Sequence, residues 1–262
     1  MTKTALRFEN VSKEFRLSKL RVRSLQEIFV NMFDREARRR HQFWALQDVS
    51  FAVKPGETMA ILGVNGSGKS TILKLISRII EPTRGTITVG GRMSALLELG
   101  AGFHPDLTGR ENIYLNGSIL GFSRLAMRRR LDSIIEFADI GEFIDVPIRN
   151  YSSGMQMRLG FSVAVHVDPE IILVDEVLAV GDYSFQQKCL RRIGQMQQEG
   201  VTILFVSHDF QAVERLCSRA VWLEQGRVQA DGDTAEVLAR MRRRYGWEGN
   251  GDAVGTGQRL LV

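Results

Sequence analysis

The sequence is poor in the features that mark secreted, metal-bound or membrane-spanning chains. Its only cysteines are Cys189 and Cys217, and their spacing fits neither a metal site nor a redox motif. No apolar run approaches the roughly 20 residues that a membrane-spanning helix needs, and the first residues lack the apolar core of a signal peptide. We therefore expect a protein of a reducing compartment that does not itself cross a bilayer, with both cysteines buried.

The sequence also lacks a recognisable nucleic-acid-binding module, although its formal net charge is +5. Lysine and arginine are concentrated at residues 16–23, 35–40 and 240–244, and no module with base-stacking aromatic residues accompanies them. We therefore predict no nucleic-acid partner. The composition that remains is globular, with 44% hydrophobic and 25% charged residues in a chain of 262 residues.

A glycine-rich run at residues 63–70, GVNGSGKS, is the clearest motif. It matches the phosphate-binding loop (P-loop) pattern, lies between an apolar strand-like segment and a helix-like one, and lets backbone N–H groups curve around an anion at a helix start. Lys69 would reach the terminal phosphates, and the Ser70 hydroxyl would ligate Mg²⁺. The predicted nucleoside triphosphate site comprises Gly63, Asn65, Gly66, Ser67, Gly68, Lys69, Ser70 and Thr71.

Strand-like and helix-like segments alternate along most of the chain. Strands are predicted at residues 6–11, 49–53, 85–91, 94–99, 171–174, 201–206, 220–224 and 227–230. Helices are predicted at residues 71–76, 112–120, 123–138, 153–167, 185–198 and 233–244. Because the strands at 171–174 and 201–206 are wholly apolar and separated by a helix, we expect an α/β fold with a buried parallel sheet.

The segment between the first two predicted strands has the pattern of an amphipathic helix. Ser24 and Glu27 form a capping box, and an apolar stripe recurs at helical spacing along Leu25, Ile28, Phe29, Met32 and Phe33. Arginines flank this predicted helix on both sides. Two interpretations stay open: the helix lies against a membrane surface or a membrane partner, or it packs its stripe on its own domain.

Two further motifs place acidic residues at the end of a strand and small residues at the start of a helix, which are positions where proteins bind phosphates and their metal ions. The apolar strand 171–174 ends in Asp175, which would hold Mg²⁺, and Glu176, which would activate the attacking water. Residues 151–155, YSSGM, precede a helix and form a second candidate anion site. The two helix starts cannot easily reach one nucleotide within one subunit.

The order of these motifs, followed by Asp182 and by His208 after an apolar strand, resembles the nucleotide-binding subunit of an ATP-binding cassette (ABC) transporter over about residues 5–245. The resemblance implies a P-loop NTPase core with a mostly parallel sheet, an N-terminal antiparallel β subdomain and a helical signature subdomain. It also implies a homodimer in which ATP lies between the P-loop of one subunit and Ser152, Ser153 and Gly154 of the other. Asp182 would match the loop acid passing between subunits, and His208 the switch histidine contacting the γ-phosphate.

The sequence departs from the usual family pattern in two segments. Tyr151, Ser153 and Met155 replace the usual leucine, glycine and glutamine of the signature, and Glu98 replaces the glutamine that ligates Mg²⁺. A carboxylate is still a good Mg²⁺ ligand, so Glu98 joins Ser70 and Asp175 in the predicted metal set.

Residues 96–112, 175–182 and the insert ending at 43–46 resemble one branch of the family, the exporters of lipid-linked polysaccharides such as O antigen, capsule and teichoic acid. The resemblance implies an ATPase subunit at the cytoplasmic face of the inner membrane, working with a separate integral membrane permease that carries the lipid-linked polysaccharide. Phe43 or Trp44 would stack on adenine, although either ring could serve only as core packing.

The resulting division assigns residues 1–245 to an ABC ATPase domain, with a helical subdomain at about 103–167 and the amphipathic insert at about 18–42, and residues 246–262 to a flexible glycine-rich tail. Two other functions remain open: export of a lipid or drug, and a non-transport ABC protein acting on ribosomes or DNA.

Overall fold

The computed structural model describes residues 4–17, 41–96, 100, 102–175, 181–206 and 210–246. Within these residues the chain forms two β-sheets with helices packed around them. The amphipathic segment predicted around residues 24–33 and the tail beyond residue 246 lie outside the described residues. The division into domains therefore stays a prediction.

The first sheet is antiparallel and has three strands in the order β2-β1-β4. They are β1 (Leu6–Leu17), β2 (His41–Val53) and β4 (Arg84–Val89). Both β1 and β2 are much longer than predicted, because the second half of β1 carries only two apolar residues, Phe15 and Leu17, and is extended by pairing with β2 from Lys13 to Leu17.

The second sheet has six strands in the order β5-β6-β7-β3-β8-β9, and only the β8–β9 hairpin is antiparallel. Its strands are β3 (Thr58–Leu62), β5 (Met93–Ala95), β6 (Ile171–Val174), β7 (Thr202–Val206), β8 (Arg219–Glu224) and β9 (Arg227–Asp233). Strands β3, β6 and β7 are buried along their whole length, as their continuous apolar runs require. The strand predicted over residues 94–99 ends early, at Ala95.

The described helices are α1 (Lys69–Ile76), α2 (Gly109–Ile119), α3 (Arg124–Ala138), α4 (Ser153–His166), α5 (Tyr183–Gln198), α6 (Phe210–Leu216) and α7 (Thr234–Tyr245). Short 3₁₀ segments at Gly141–Asp145 and Ile148–Asn150 join α3 to α4. Side-chain hydrogen bonds explain where two of these helices begin: Thr108 and Glu111 make a full capping box for α2, and Asp233 caps α7. None of the described helices has the length and hydrophobicity needed to span a bilayer.

Three apolar clusters hold these layers together. One lies between the antiparallel sheet, α1 and one face of the parallel sheet, and a second lies between the opposite face and helices α4 to α7. The third fills the helical layer made by α2, α3 and α4. The mostly parallel sheet, the antiparallel sheet of β1, β2 and β4, and the helical layer together confirm the predicted fold class.

Cys189 and Cys217 are buried free thiols, as expected, and burial raises the pKa of each to about 12.

Candidate functional site

The carboxyl ends of the central strands meet at one edge of the parallel sheet and open into a cleft. Ile61 of β3 is in register with Val206 of β7, and Val174 of β6 with Phe205, so these three strands end side by side. The cleft has a volume of about 260 Å³. Its lining comprises Phe43, Ala45, Asn65, Gly66, Gly68, Lys69, Ser70, Thr71, Asp175 and Val206.

The loop between β3 and α1 has the backbone shape that an anion cradle needs. Gly66 and Gly68 have φ values of 79° and 111°, a region that glycine enters without steric cost. Gly68 is the N-cap of α1 and has no side chain to accept bonds from the first helical N–H groups. The helix start is thus available to a phosphate, at the positive end of the helix dipole.

Lys69 is buried at the base of this loop, with 8% of its surface exposed. Its ammonium donates hydrogen bonds to the carbonyl oxygens of Gly63 (2.8 Å) and Val64 (3.2 Å). These bonds hold the positive charge inside the loop that the sequence assigns to the terminal phosphates. A buried cation beside a helix start favours an anion over a cation or a neutral group in the cleft.

The structure distinguishes between Phe43 and Trp44, the two aromatic residues predicted to stack on adenine. Phe43 lines the cleft and is 52% exposed, a large exposure for an apolar side chain. Trp44 points to the other face of β2, where the guanidinium of Arg84 lies 5.5 Å from the centre of its ring. Of the two rings, Phe43 is therefore the one that faces the cleft.

Oxygen ligands for a divalent cation also converge on the cleft. Ser70 and Asp175 both line it, one at the start of α1 and the other directly after β6. A hydroxyl and a carboxylate suit Mg²⁺, which prefers oxygen ligands. The third predicted ligand, Glu98, lies outside the described residues, as do Glu176 and His208.

The second predicted phosphate-facing segment has different local chemistry. Ser152 is the N-cap of α4, and its hydroxyl oxygen accepts a hydrogen bond from the backbone N–H of Met155 (3.2 Å). Ser152 and Ser153 are exposed and Gly154 is half-buried. None of the three lines the cleft around the P-loop, so the structure does not bring the two helix starts together within one chain.

Tyr151, which precedes these serines, is a packing residue of the helical layer. It is 7% exposed, and its hydroxyl donates to the carbonyl oxygen of Phe143 (2.5 Å). Burial raises the pKa of Tyr151 to about 12, and the negative charge of Asp145 adds to this rise. The unusual tyrosine therefore occupies a core position with a satisfied hydroxyl.

Comparison with known proteins identifies the family. The family model described as ABC transporter matches residues 46–179. The O-antigen export system ATP-binding protein RfbB of Klebsiella pneumoniae is 53% identical over 75% of this chain and 80% of its own length. The chain belongs to the ABC transporter family.

Two further comparisons agree with this assignment. The teichoic acids export ATP-binding protein TagH of Listeria innocua is 41% identical to this ABC protein over 92% of the chain and 70% of its own length. A solved ATP-binding subunit of an ABC transporter superposes with a TM-score of 0.72 at 25% identity, covering 95% of this chain and 96% of that one. The predicted family, its polysaccharide exporter branch and the ATPase class are confirmed, and with them ATP as the nucleotide.

Asp182, the predicted inter-subunit acid, has well-defined partners within its own chain. It is the N-cap of α5, and its carboxylate accepts hydrogen bonds from the Ser184 hydroxyl (2.6 Å) and the Phe185 N–H (2.9 Å). The bond from Ser184 is the main cause of the lowered pKa of this carboxyl, followed by the bond from Phe185. Arg158 of α4 lies 3.7 Å away, so the acid also connects the helical layer to α5.

Sequence reasoning missed two residues that neighbour this ABC site without lining its cleft. Phe15 is the direct cross-strand partner of Phe43 and is 36% exposed; the signal was a second aromatic residue near the end of the first strand-like segment. Gly226, in the turn between β8 and β9, contacts the P-loop through its backbone. Nothing in the local sequence around Gly226 indicates this contact, because its partner in the P-loop, Ser67, lies about 160 positions earlier in the chain.

Proposed function

We propose that this chain is the ATP-hydrolysing subunit of an exporter that moves a lipid-linked polysaccharide across the cytoplasmic membrane through a separate membrane subunit. The observation that carries the proposal is a complete P-loop cleft in a chain whose relatives are named as O-antigen and teichoic acid export ATP-binding proteins. With no bilayer-spanning helix among the described residues, the membrane path would belong to the separate subunit.

In this proposal the described residues bind and orient the nucleotide. The loop from Gly63 to Gly68 surrounds the phosphates with backbone N–H groups, Lys69 neutralises their charge, and Phe43 contacts the base. Ser70 and Asp175 would hold Mg²⁺, with Glu98 as a further ligand, and the bound cation would neutralise charge on the phosphates. Glu176 accepts the proton of the attacking water, and His208 contacts the γ-phosphate.

Two copies of the chain are needed for the second half of each site. Ser152 and Ser153 are exposed at the start of α4 and lie outside the cleft of their own chain, so they are free to meet the nucleotide held by a partner copy. Asp182 lies at an exposed helix start suited to the same interface. ATP closes this dimer, and hydrolysis reopens it against the membrane subunit.

The chemistry is tested with Glu176→Gln and the matched variant Glu170→Gln. Glu170 stands just before β6, whereas Glu176 follows β6 in the sequence, and Glu170 forms an exposed ion pair with Arg92. We expect Glu176→Gln to lose at least about 10²-fold in ATP turnover while ATP binding is retained, because it removes a proton acceptor without changing shape. Glu170→Gln should hydrolyse ATP at the wild-type rate. Unchanged turnover in Glu176→Gln would refute the catalytic assignment.

The transport role is tested by purifying the tagged chain from gently solubilised membranes. A polytopic subunit encoded among glycan-assembly genes should accompany it, and cells lacking the chain should accumulate the lipid-linked polysaccharide inside. A polytopic partner encoded beside resistance genes would favour lipid or drug export. A chain that instead accompanies ribosomes would contradict the transport proposal.

A further inference from the structure

We infer that Gly226, in the β8–β9 turn, is a positioning residue that fixes the P-loop against strand β2 and thereby sets the affinity for ATP. The inference rests on the proposed function, because the cleft must bind ATP for its position to matter. It assigns a role in nucleotide binding to a turn that lies outside every recognised motif of the sequence.

Backbone hydrogen bonds join this turn to both sides of the cleft. The N–H of Gly226 donates to the carbonyl oxygen of Ser67 in the P-loop (3.0 Å). The carbonyl oxygen of Gly226 accepts from the N–H of Gln47 in β2 (2.8 Å). Gly226 is buried, so both of its polar groups depend on these partners. One residue therefore connects the phosphate loop to the strand that carries Phe43.

The packing around the turn admits only glycine. A Cβ atom on Gly226 would lie 2.5 Å from the carbonyl oxygen of Ala45 and 3.0 Å from its carbonyl carbon, and the φ angle of Gly226 is +75°. Gly68 faces the same strand, since a Cβ there would lie 2.6 Å from Cδ2 of Leu46 and 2.8 Å from the oxygen of Ala45. Three backbone segments thus approach one another with no room for a side chain.

The P-loop is held by β8 as well as by the turn. A Cβ on Gly63 would lie 2.5 Å from the carbonyl oxygen of Leu223, three residues before Gly226. The β8–β9 hairpin therefore supports the loop at its first glycine and again at Ser67. Any displacement of the hairpin turn moves the phosphate cradle relative to Phe43, so the two ends of a bound nucleotide would no longer fit together.

The far side of the turn is braced by the last described helix. The hydroxyl of Tyr245 donates to the carboxylate of Glu224 (3.0 Å), and Nε of Arg244 lies 3.5 Å from the same carboxylate. The ring of Tyr245 meets Trp222 edge-on at 6.0 Å. The hairpin is thus held between α7 and the P-loop, which extends the support of the nucleotide site to the C-terminal helix.

The test compares Gly226→Ala with two matched glycine variants. Gly200→Ala introduces the same backbone strain, since Gly200 has φ +81°, but has nothing within 4 Å of the new methyl group and lies before β7, at the opposite edge of the sheet. Gly232→Ala adds a methyl group in the same hairpin, again with nothing within 4 Å. Binding of ATP with Mg²⁺ to the full chain is measured by calorimetry, and unfolding is followed in urea.

We expect Gly226→Ala to bind ATP about tenfold more weakly than wild type, because the P-loop must move by a fraction of an ångström relative to β2. Gly200→Ala and Gly232→Ala should bind within about twofold of wild type. A purely structural role would lower the urea midpoint of Gly226→Ala without changing the affinity of its folded form. Equal affinities in all three variants would therefore overturn the inference.

A second pair of variants tests the same inference from the α7 side of the hairpin. If Gly226→Ala does not fold, Tyr245→Phe is compared with Tyr183→Phe, whose ring is 76% exposed. Loss of the Tyr245 bond to Glu224 should weaken ATP binding about threefold, and Tyr183→Phe should leave it unchanged; no difference between the two would overturn the inference. If wild type itself binds no ATP, it is the proposed function that fails.

Discussion

The two helix starts assigned to phosphate, at Lys69 and at Ser153, are built in opposite ways. The first follows Gly68, which has no side chain, and is enclosed by β2, β8 and the β8–β9 turn. The second follows Ser152, whose hydroxyl already accepts the N–H of Met155, and it is exposed. The P-loop is thus a preformed cradle within one chain, whereas the segment at Ser152 is an exposed, capped helix start, which in the proposed function meets a nucleotide held by a partner copy.

This difference has a physical consequence for binding. A cradle held by buried backbone contacts loses little conformational freedom when a phosphate enters. A capped start must share or release its serine hydroxyl when it meets an anion, so its contribution depends on a partner bringing the nucleotide to it. In the proposed function, substitutions at the Lys69 helix start should therefore change ATP binding by the single chain. Substitutions at the Ser152 helix start should change ATP turnover by the dimer without changing ATP binding by the single chain.

The largest effect is expected from Lys69→Ala. The substitution removes the buried cation and its bonds to the carbonyl oxygens of Gly63 and Val64. We expect ATP turnover to fall by at least about 10²-fold and single-chain ATP binding to be lost, because phosphate charge is no longer neutralised. Lys74→Ala, on the exposed face of the same helix, is the control and should bind ATP normally. Normal ATP affinity in Lys69→Ala would mean that the backbone alone makes the cradle.

An intermediate effect is expected from Ser152→Ala, matched with Ser123→Ala. Ser123 caps α3 in the same way, since its hydroxyl accepts from the N–H of Ala126 (3.3 Å). Each substitution should lower the free energy of unfolding by about 1 kcal/mol. Only Ser152→Ala should also reduce ATP turnover, with single-chain ATP affinity unchanged. Equal ATP turnover in both variants would mean that Ser152 acts only as a helix cap.

The smallest effect is expected from Tyr151→Phe. Loss of the bond to the Phe143 carbonyl should lower the free energy of unfolding by about 1 kcal/mol at neutral pH, measured in urea. Because the folded pKa is raised to about 12 from the ordinary value of 10, wild type keeps the stabilisation from Tyr151 below pH 10 and loses it as pH rises towards 12.

The difference in unfolding free energy between wild type and Tyr151→Phe should therefore shrink between pH 10 and pH 12. Buried Cys189 and Cys217 also resist ionisation in this range, but they are common to both proteins and cancel in the difference. Tyr183→Phe, on an exposed ring, is the control and should leave the free energy of unfolding unchanged. A constant difference across this range would mean that the hydroxyl of Tyr151 is not held in its neutral form.

Motif chemistry made the P-loop predictable, and hydrophobic patterning made the strands around it predictable. In residues 63–70 the glycine spacing and the lysine identify the loop, and in the strand before Asp175 the apolar run identifies the strand; each pattern lies within about ten residues. The second half of β1 could not be predicted, because residues 13–17 become a strand only by pairing with residues 41–46. The choice between Phe43 and Trp44 could not be predicted either, since adjacent residues of a strand face opposite sides and the sequence does not say which side holds the cleft.

By itself, the sequence determined that this chain folds around a phosphate loop at the end of a buried parallel strand, because glycine spacing, the lysine and the apolar runs act locally. Only the tertiary structure decided that Phe43 rather than Trp44 faces the cleft, that Tyr151 is a core residue, and that Gly226 supports the P-loop. These last relations join residues that are remote in sequence, and they exist only once the sheets have packed and their backbones have come within hydrogen-bonding distance.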